Sequence, residues 1–248
     1  MIRTMLALSG LIAIALPLRA ATPTIAAAVA DPSRPAEDRA RDGQRKPAEM
    51  LAFAGIKPSM AVADLLPGGG YFTRLFSAAV GPAGKVLAYV PDEVIAEHPG
   101  ALDRITAVAR TLPNVTVVHD PLMSPDAPSD VFDVVWTAQN YHDLHYLPGV
   151  DIVGFDRLVY ASLKPGGVFV ILDHAAPVGS GLPARDVLHR IDPTVVRREL
   201  AAAGFVYDGE SKVLANPADD HMKPVFDPAI RGHTDQFVYR FRKPAARR

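Results

Sequence analysis

Apolar residues along this chain fall into two alternating rhythms: short unbroken runs, and longer stretches in which every third or fourth position is apolar. The first clear pair begins at Met60, where an apolar run containing Asp64 leads into Pro67 and the triplet Gly68, Gly69 and Gly70. Phe72, Leu75, Phe76 and Ala79 then recur at helical spacing up to Val80, so the stretch predicts a strand, a tight turn and a helix. Lys85–Val90, Val115–Val118, Val131–Thr137 and Val168–Leu172 predict four more strands, the last apolar throughout and therefore buried on both faces. Helical spacing covers a short segment opened by Pro47 and stopped at Gly55, then Glu93–Arg110 with a break at Pro99-Gly100, and Ile152–Leu163. A last helix starts at Asp192-Pro193 and stops at Gly204. Two strand-like runs, Phe205–Leu214 and Gln236–Phe241, are joined by a long loop and predict an antiparallel edge. Repeated strand-helix units closed by a hairpin describe a doubly wound α/β sheet, mostly parallel.

Composition changes this picture mainly at the amino end. With 248 residues and 49% hydrophobic composition, the chain can bury the core of one ordinary α/β domain. Arg3, the uncharged apolar stretch Met5–Leu18 and small residues at Ala20, Ala28 and Ala30 read as a secretory signal peptide over residues 1–30. Its apolar core is shorter than the roughly 20 residues of a membrane span. Cleavage is expected after Ala28-Val29-Ala30, with Ala20 as a second site, giving an exported, periplasmic protein. Residues 31–46, dense in charge and holding Pro32 and Pro35, read as a linker or irregular arm leading into a domain over residues 47–248. Loss of Arg3 and Arg19 with the leader takes the formal charge of −1 two units further negative, which does not suggest a nucleic-acid partner. The basic carboxyl end, with Arg240, Arg242, Lys243, Arg247 and Arg248, reads as a solvated terminus rather than a binding patch. There is no cysteine, which removes disulfides, thiolate metal sites and cysteine nucleophiles.

Glycines between a strand and a helix let the backbone approach a ligand, while the first turn of the helix offers unpaired N–H groups and the positive end of its dipole. An anionic group fits there, and Asp64 sits at the carboxyl end of the strand, where open α/β sheets bind ligands. The triplet lacks the Gly-Lys-Ser/Thr ending of a nucleotide P-loop, and no G-x-S-x-G elbow is present.

Three stretches together resemble the class I S-adenosylmethionine-dependent methyltransferases, and in particular the exported predicted methyltransferases of bacteria. They are Asp64–Thr73, Val131-Phe132-Asp133-Val134-Val135 and Leu163-Lys164-Pro165-Gly166-Gly167. The resemblance covers most of residues 47–244 and implies a Rossmann-like, seven-stranded sheet with an antiparallel carboxyl-terminal hairpin. It also implies S-adenosylmethionine as cofactor and a small-molecule acceptor. Carried over, Asp64, Gly68, Gly69, Gly70 and Thr73 are cofactor-binding candidates. Leu66 replaces the first family glycine, and Tyr89-Val90-Pro91 replaces the acid at the end of the second strand, leaving Asp92 or Glu93 as possible substitutes. Asp120 matches a position that meets the adenine amino group, or is a turn residue before Pro121.

Methyl transfer asks the protein chiefly for alignment, with a base where the acceptor carries a proton. Asn140-Tyr141-His142-Asp143-Leu144-His145-Tyr146 after the fourth strand and Asp173-His174 after the fifth are the polar groups placed for this. His142 and His145 are candidate bases and Tyr141 a candidate for holding the acceptor, whereas His98, His119, His189 and His233 read as solvated or structural. The same cluster offers a rival use, a divalent metal on His142, His145 and His174 with Asp173, although no ligand spacing signature accompanies it. Asp219-Asp220-His221 is either a lid or a solvated loop. Leu66 and Val90 leave open a binding protein that keeps the fold without catalysis.

Overall fold

Seven strands form one sheet: β1 (Ala61–Leu65), β2 (Lys85–Tyr89), β3 (Val115–Val118), β4 (Phe132–Ala138), β5 (Leu163–His174), β6 (Val206–Ser211) and β7 (Gln236–Arg242). Their order is β3-β2-β1-β4-β5-β7-β6; β1 to β5 run parallel, and β7 lies antiparallel to both β5 and β6. The chain order reverses between β1 and β4, which is where an open α/β sheet leaves a crevice for a ligand. The computed structural model describes residues 23–124, 126–182 and 185–245, so the apolar leader stretch and the Ala20 cleavage site lie outside the described residues.

Eleven helices are described: α1 (Ile25–Ala30), α2 (Ala36–Ala40), α3 (Asp42–Arg45), α4 (Pro47–Ala54), α5 (Tyr71–Val80), α6 (Asp92–Glu97), α7 (Gly100–Ala109), α8 (Tyr141–Leu144), α9 (Ile152–Ser162), α10 (Arg185–Leu188) and α11 (Pro193–Ala202). Alternate strand residues serve opposite faces. Val134, Trp136, Val168 and Val170 join Met50, Leu51, Phe72 and Phe76 of α4 and α5, while Val135, Phe169 and Ile171 join Phe155, Val159, Val196 and Leu200 of α9 and α11. Thus Val168–Leu172 is buried on both sides, as an unbroken apolar run requires. Asp192 caps α11 by accepting from the Thr194 amide at 2.8 Å, and Gly55, with φ 73°, ends α4.

Two expectations change. Lys164-Pro165-Gly166-Gly167 is the start of β5 rather than a turn before it, with a register shift opposite Phe132 and Val134. A Cβ on Gly167 would come within 2.9 Å of the Lys164 carbonyl oxygen and 3.1 Å of that of Phe132, so the close backbones need glycine. Residues 31–46 are no irregular linker: α2 and α3 lie across the start of α5, held by Arg74 to Asp38 at 2.8 Å, Tyr71 Oη to Asp42 at 2.7 Å and the buried Arg34 to Asp42 at 2.7 Å. Ala28 of α1 is buried in the same core as α4 and α5, so cleavage after the exposed Ala30 would remove a residue that packs in this core.

Candidate active site

The loop between β1 and α5 turns through Leu66, Gly68 and Gly70, all with positive φ (53°, 57° and 79°). A Cβ on Gly70 would crowd Val108 and Ile105 of α7 at 3.1 to 3.2 Å, whereas one on Gly68 or Gly69 would enter open space. The third glycine therefore serves helix packing, and the first two border a cavity. Asp64 is buried beneath this loop and accepts a 2.6 Å hydrogen bond from Thr73 Oγ1. Burial raises its pKa to about 7, against the lowering effects of the Thr73 hydrogen bond and the Arg45 charge.

Arg45 belongs to the segment expected to be a linker. Its guanidinium lies 4.8 Å from the Tyr71 ring centroid and donates to Gln139 Oε1 at 3.0 Å; burial lowers its pKa to about 10. Asp64, Gly68, Gly69, Arg41 and Arg45 line a cavity of about 250 Å³. Its neighbour, of about 760 Å³, shares Leu66, Pro67, Gly68, Gln139 and Asn140 with it and extends to Val90 after β2, to Glu97, His98 and Ala101, and to His142, Asp143, His174 and His189. Asn140 holds the two strand ends together by donating to the Leu66 carbonyl at 2.9 Å.

At the far end of the larger cavity, His142 is fixed by Asp173 at the end of β5. The Asp173 carboxylate accepts from His142 Nδ1 and from the His142 amide, both at 2.8 Å, and from the His174 amide at 2.7 Å. Burial pushes the Asp173 pKa up, but the His142 charge and these hydrogen bonds outweigh it and hold the group below the usual carboxylate range. Burial likewise pulls His142 down, and Asp173 and Asp143 overcome it, raising its pKa to about 10. His174 is the opposite case: burial lowers its pKa to about 4, and its Nδ1 pairs with Thr234 Oγ1 at 2.8 Å.

Several sequence expectations do not meet at this cavity. Tyr141 is fully buried and bonds Asp156 and Glu199 at 2.8 and 3.1 Å, while His145 Nε2 pairs with Glu199 at 3.1 Å. Tyr141 thus anchors α8 to α9 and α11, and His145 pairs with α11 alone, both outside the cavity lining. Asp120 lines a separate cavity of about 240 Å³ with Tyr89 and Leu122, and its carbonyl accepts from Tyr89 Oη at 3.0 Å. Asp92 pairs with His119 at 3.0 Å and Glu93 accepts from the Leu122 amide, so Glu97 is the acid of α6 that lines the large cavity. The 219–221 loop is anchored rather than simply solvated: buried Asp219 pairs with buried Arg190 at 2.9 Å, and further along Val225 and Phe226 wall the cavity. His189, read from sequence as solvated or structural, is a cavity residue. One signal for Arg45 was present, since Arg34, Asp38, Asp42 and Arg45 follow helical spacing.

Sheet order, glycine turn and strand-end site together define the class I S-adenosylmethionine-dependent methyltransferase fold. A methyltransferase from Aquifex aeolicus has 20% identity and a TM-score of 0.57, covering 82% of this chain and 98% of that one. The 1,6-didemethyltoxoflavin-N1-methyltransferase of Burkholderia thailandensis, with its substrate and S-adenosylhomocysteine bound, has 18% identity and a TM-score of 0.53, covering 84% and 79%. In sequence, the chain is similar to the ubiquinone/menaquinone biosynthesis C-methyltransferase UbiE of Ectopseudomonas mendocina, 28% identical over 189 residues. The match spans 75% of this chain and 64% of that relative, less than two thirds of its length. No family model matches.

Proposed function

We propose that this protein is an S-adenosylmethionine-dependent methyltransferase acting on a small molecule. The observation that carries the reading is the small cavity that buried Asp64 shares with Arg41, Arg45, Gly68 and Gly69, which sets a carboxylate and guanidinium groups as a pair of opposite charges next to a cavity of about 760 Å³. Such a pair suits an α-amino acid end, with Asp64 toward the ammonium and Arg45 and Arg41 toward the carboxylate. The larger cavity is within the range of small-molecule sites, and Glu97, which lines it together with Val90, is an acid available to ribose hydroxyls. Bound there, the cofactor would supply a methyl group already activated by its sulfonium. The chain's own residues supply alignment: Asn140 ties the end of β4 to that of β1, Gln139 ties it to Gln236 at the start of β7, and His142, oriented by Asp173, offers a fixed polar group to the acceptor.

The UbiE similarity makes a carbon acceptor the first to screen. Export through the amino-terminal leader remains part of the reading, and the packing of Ala28 favours cleavage near Ala20 over Ala30. Leu66, held at φ 53° where the family has glycine, favours a second reading, a fold-retaining protein that binds without catalysis.

Calorimetric titration with S-adenosylmethionine and S-adenosylhomocysteine, using protein that begins before α1, tests the cofactor site. Saturable binding lost in Asp64→Ala and Gly68→Val is the expected outcome. A folded protein that binds neither compound refutes the methyltransferase reading, and binding without turnover across an acceptor screen favours the second.

A further inference from the structure

In the sequence, a metal on His142, His145 and His174 with Asp173 is only a rival use of these residues, and the structure brings a different set together. Nε2 of His142 lies 3.1 Å from Asp143 Oδ1, and Nδ1 of His189 lies 3.9 Å from the same oxygen. The ligand atoms of His142, Asp143 and His189 all fall within 4.8 Å of one another. We propose that these three side chains form a binding site for one divalent transition-metal ion, opening into the cavity of about 760 Å³.

A divalent ion with nitrogen and oxygen ligands at about 2.1 Å spaces its ligand atoms roughly 3 to 3.5 Å apart. His142 and Asp143 already match that spacing, so mainly His189 has to draw in, by about 1 Å. Its side chain and that of Asp143 are 36% and 42% exposed, which leaves both the freedom to adjust and a route for the ion.

The surroundings are those of a metal site rather than of a chance cluster. Asp173 binds Nδ1 of His142 at 2.8 Å and so turns Nε2 toward Asp143 and His189; a carboxylate behind a ligating histidine is the usual way its orientation is set. His189 has left-handed backbone, with φ 52°, a costly conformation for a side chain of this size. It is held there by the next residue: Arg190, fully buried, donates to the Ala175 carbonyl at 2.9 Å and the Lys223 carbonyl at 3.1 Å and pairs with Asp219. Phe226 packs on the His189 ring at 4.9 Å between centroids. Two histidines and one carboxylate leave coordination positions open toward the cavity and suit zinc, iron(II) or their neighbours better than magnesium or calcium. If the methyltransferase reading holds, the ion would receive a hydroxyl or carbonyl oxygen of the acceptor, which restricts acceptors to oxygen-bearing molecules.

The test is calorimetric titration of untagged, chelator-treated protein with Zn2+, and with Co2+ followed by visible absorption, without S-adenosylmethionine, so that failure here leaves the cofactor reading untouched. One ion per chain is expected, with ligand-field absorption on Co2+ addition. Saturable binding should disappear in His189→Ala and Asp143→Ala, whose side chains are half-exposed and whose folding circular dichroism can verify. It should weaken about 10- to 100-fold in Asp173→Asn and persist in His145→Gln. No stoichiometric binding by folded protein overturns the proposal. So does binding undiminished in His189→Ala, or binding abolished by His145→Gln alone.

Discussion

Asp64 and Asp173 are both buried carboxylates at the carboxyl ends of strands in one sheet, and their environments drive them in opposite directions. Asp173 accepts two backbone amides and an imidazole and is held ionised. Asp64, among the described residues, accepts one hydroxyl and shares its cavity with a more distant guanidinium; its pKa rises to about 7. The same residue type at equivalent places thus has two physical characters. Asp173 is satisfied by its own chain and organises its neighbours, whereas Asp64 keeps bonding capacity for a cationic ligand.

Substitution should separate the two most sharply in stability. Asp173→Ala leaves His142 and two amides without their acceptor in the interior and should cost about 3 to 5 kcal/mol in urea unfolding. Asp64→Asn keeps an acceptor for Thr73 and should change stability by less than about 1 kcal/mol. Equal losses would show that both carboxylates are structural. In cofactor titrations Asp64→Asn should instead cost about 1.5 to 3 kcal/mol, and Arg45→Ala a similar amount, as for hydrogen bonds to charged groups.

Acidity provides a finer measure. Since the Asp64 pKa is raised from 3.8 to about 7 in the folded chain, folding holds a proton there that the unfolded chain has released. Its contribution to stability is present below about pH 4 and is lost as pH rises toward 7. Binding of an ammonium group has the opposite slope, because it needs the carboxylate. Cofactor affinity should fall toward about tenfold per pH unit below 7, and Asp64→Asn should flatten that profile. The smallest effect is expected at Leu66→Gly, where relief of a left-handed backbone, about 1 kcal/mol, is offset by lost apolar contact. A net change within about 1 kcal/mol in unfolding, without weaker cofactor binding, fits this account; a large loss would make Leu66 a packing residue first.

The sheet was legible because burial leaves a local record. Met60–Ala63 and Val168–Leu172 are apolar for reasons independent of their partners, and Asp192-Pro193 marks a helix start within two residues. The glycine turn, Asp64 and Thr73 were legible for the same reason, since strand, turn and first helical turn are contiguous. The charged segment 31–46 misled because its charges pair with one another and with α5 instead of facing water; only the helical spacing of Arg34, Asp38, Asp42 and Arg45 recorded this. Tyr141, His145 and His142 look alike within one short polar run, yet α8 turns the first two toward Glu199 and the third toward the cavity.

The alternation of strands and helices, the glycine turn and the acid at the strand end beneath it are written locally in the chain, since backbone preference and hydrophobic period act over a few residues. Tertiary structure alone decided which polar residues share a space. It put Arg45 opposite Asp64, Asp173 behind His142, and His189 beside Asp143 through the clamp on Arg190. Side-chain direction and long-range pairing are set by packing between elements far apart in the chain, and that information has no local period to read.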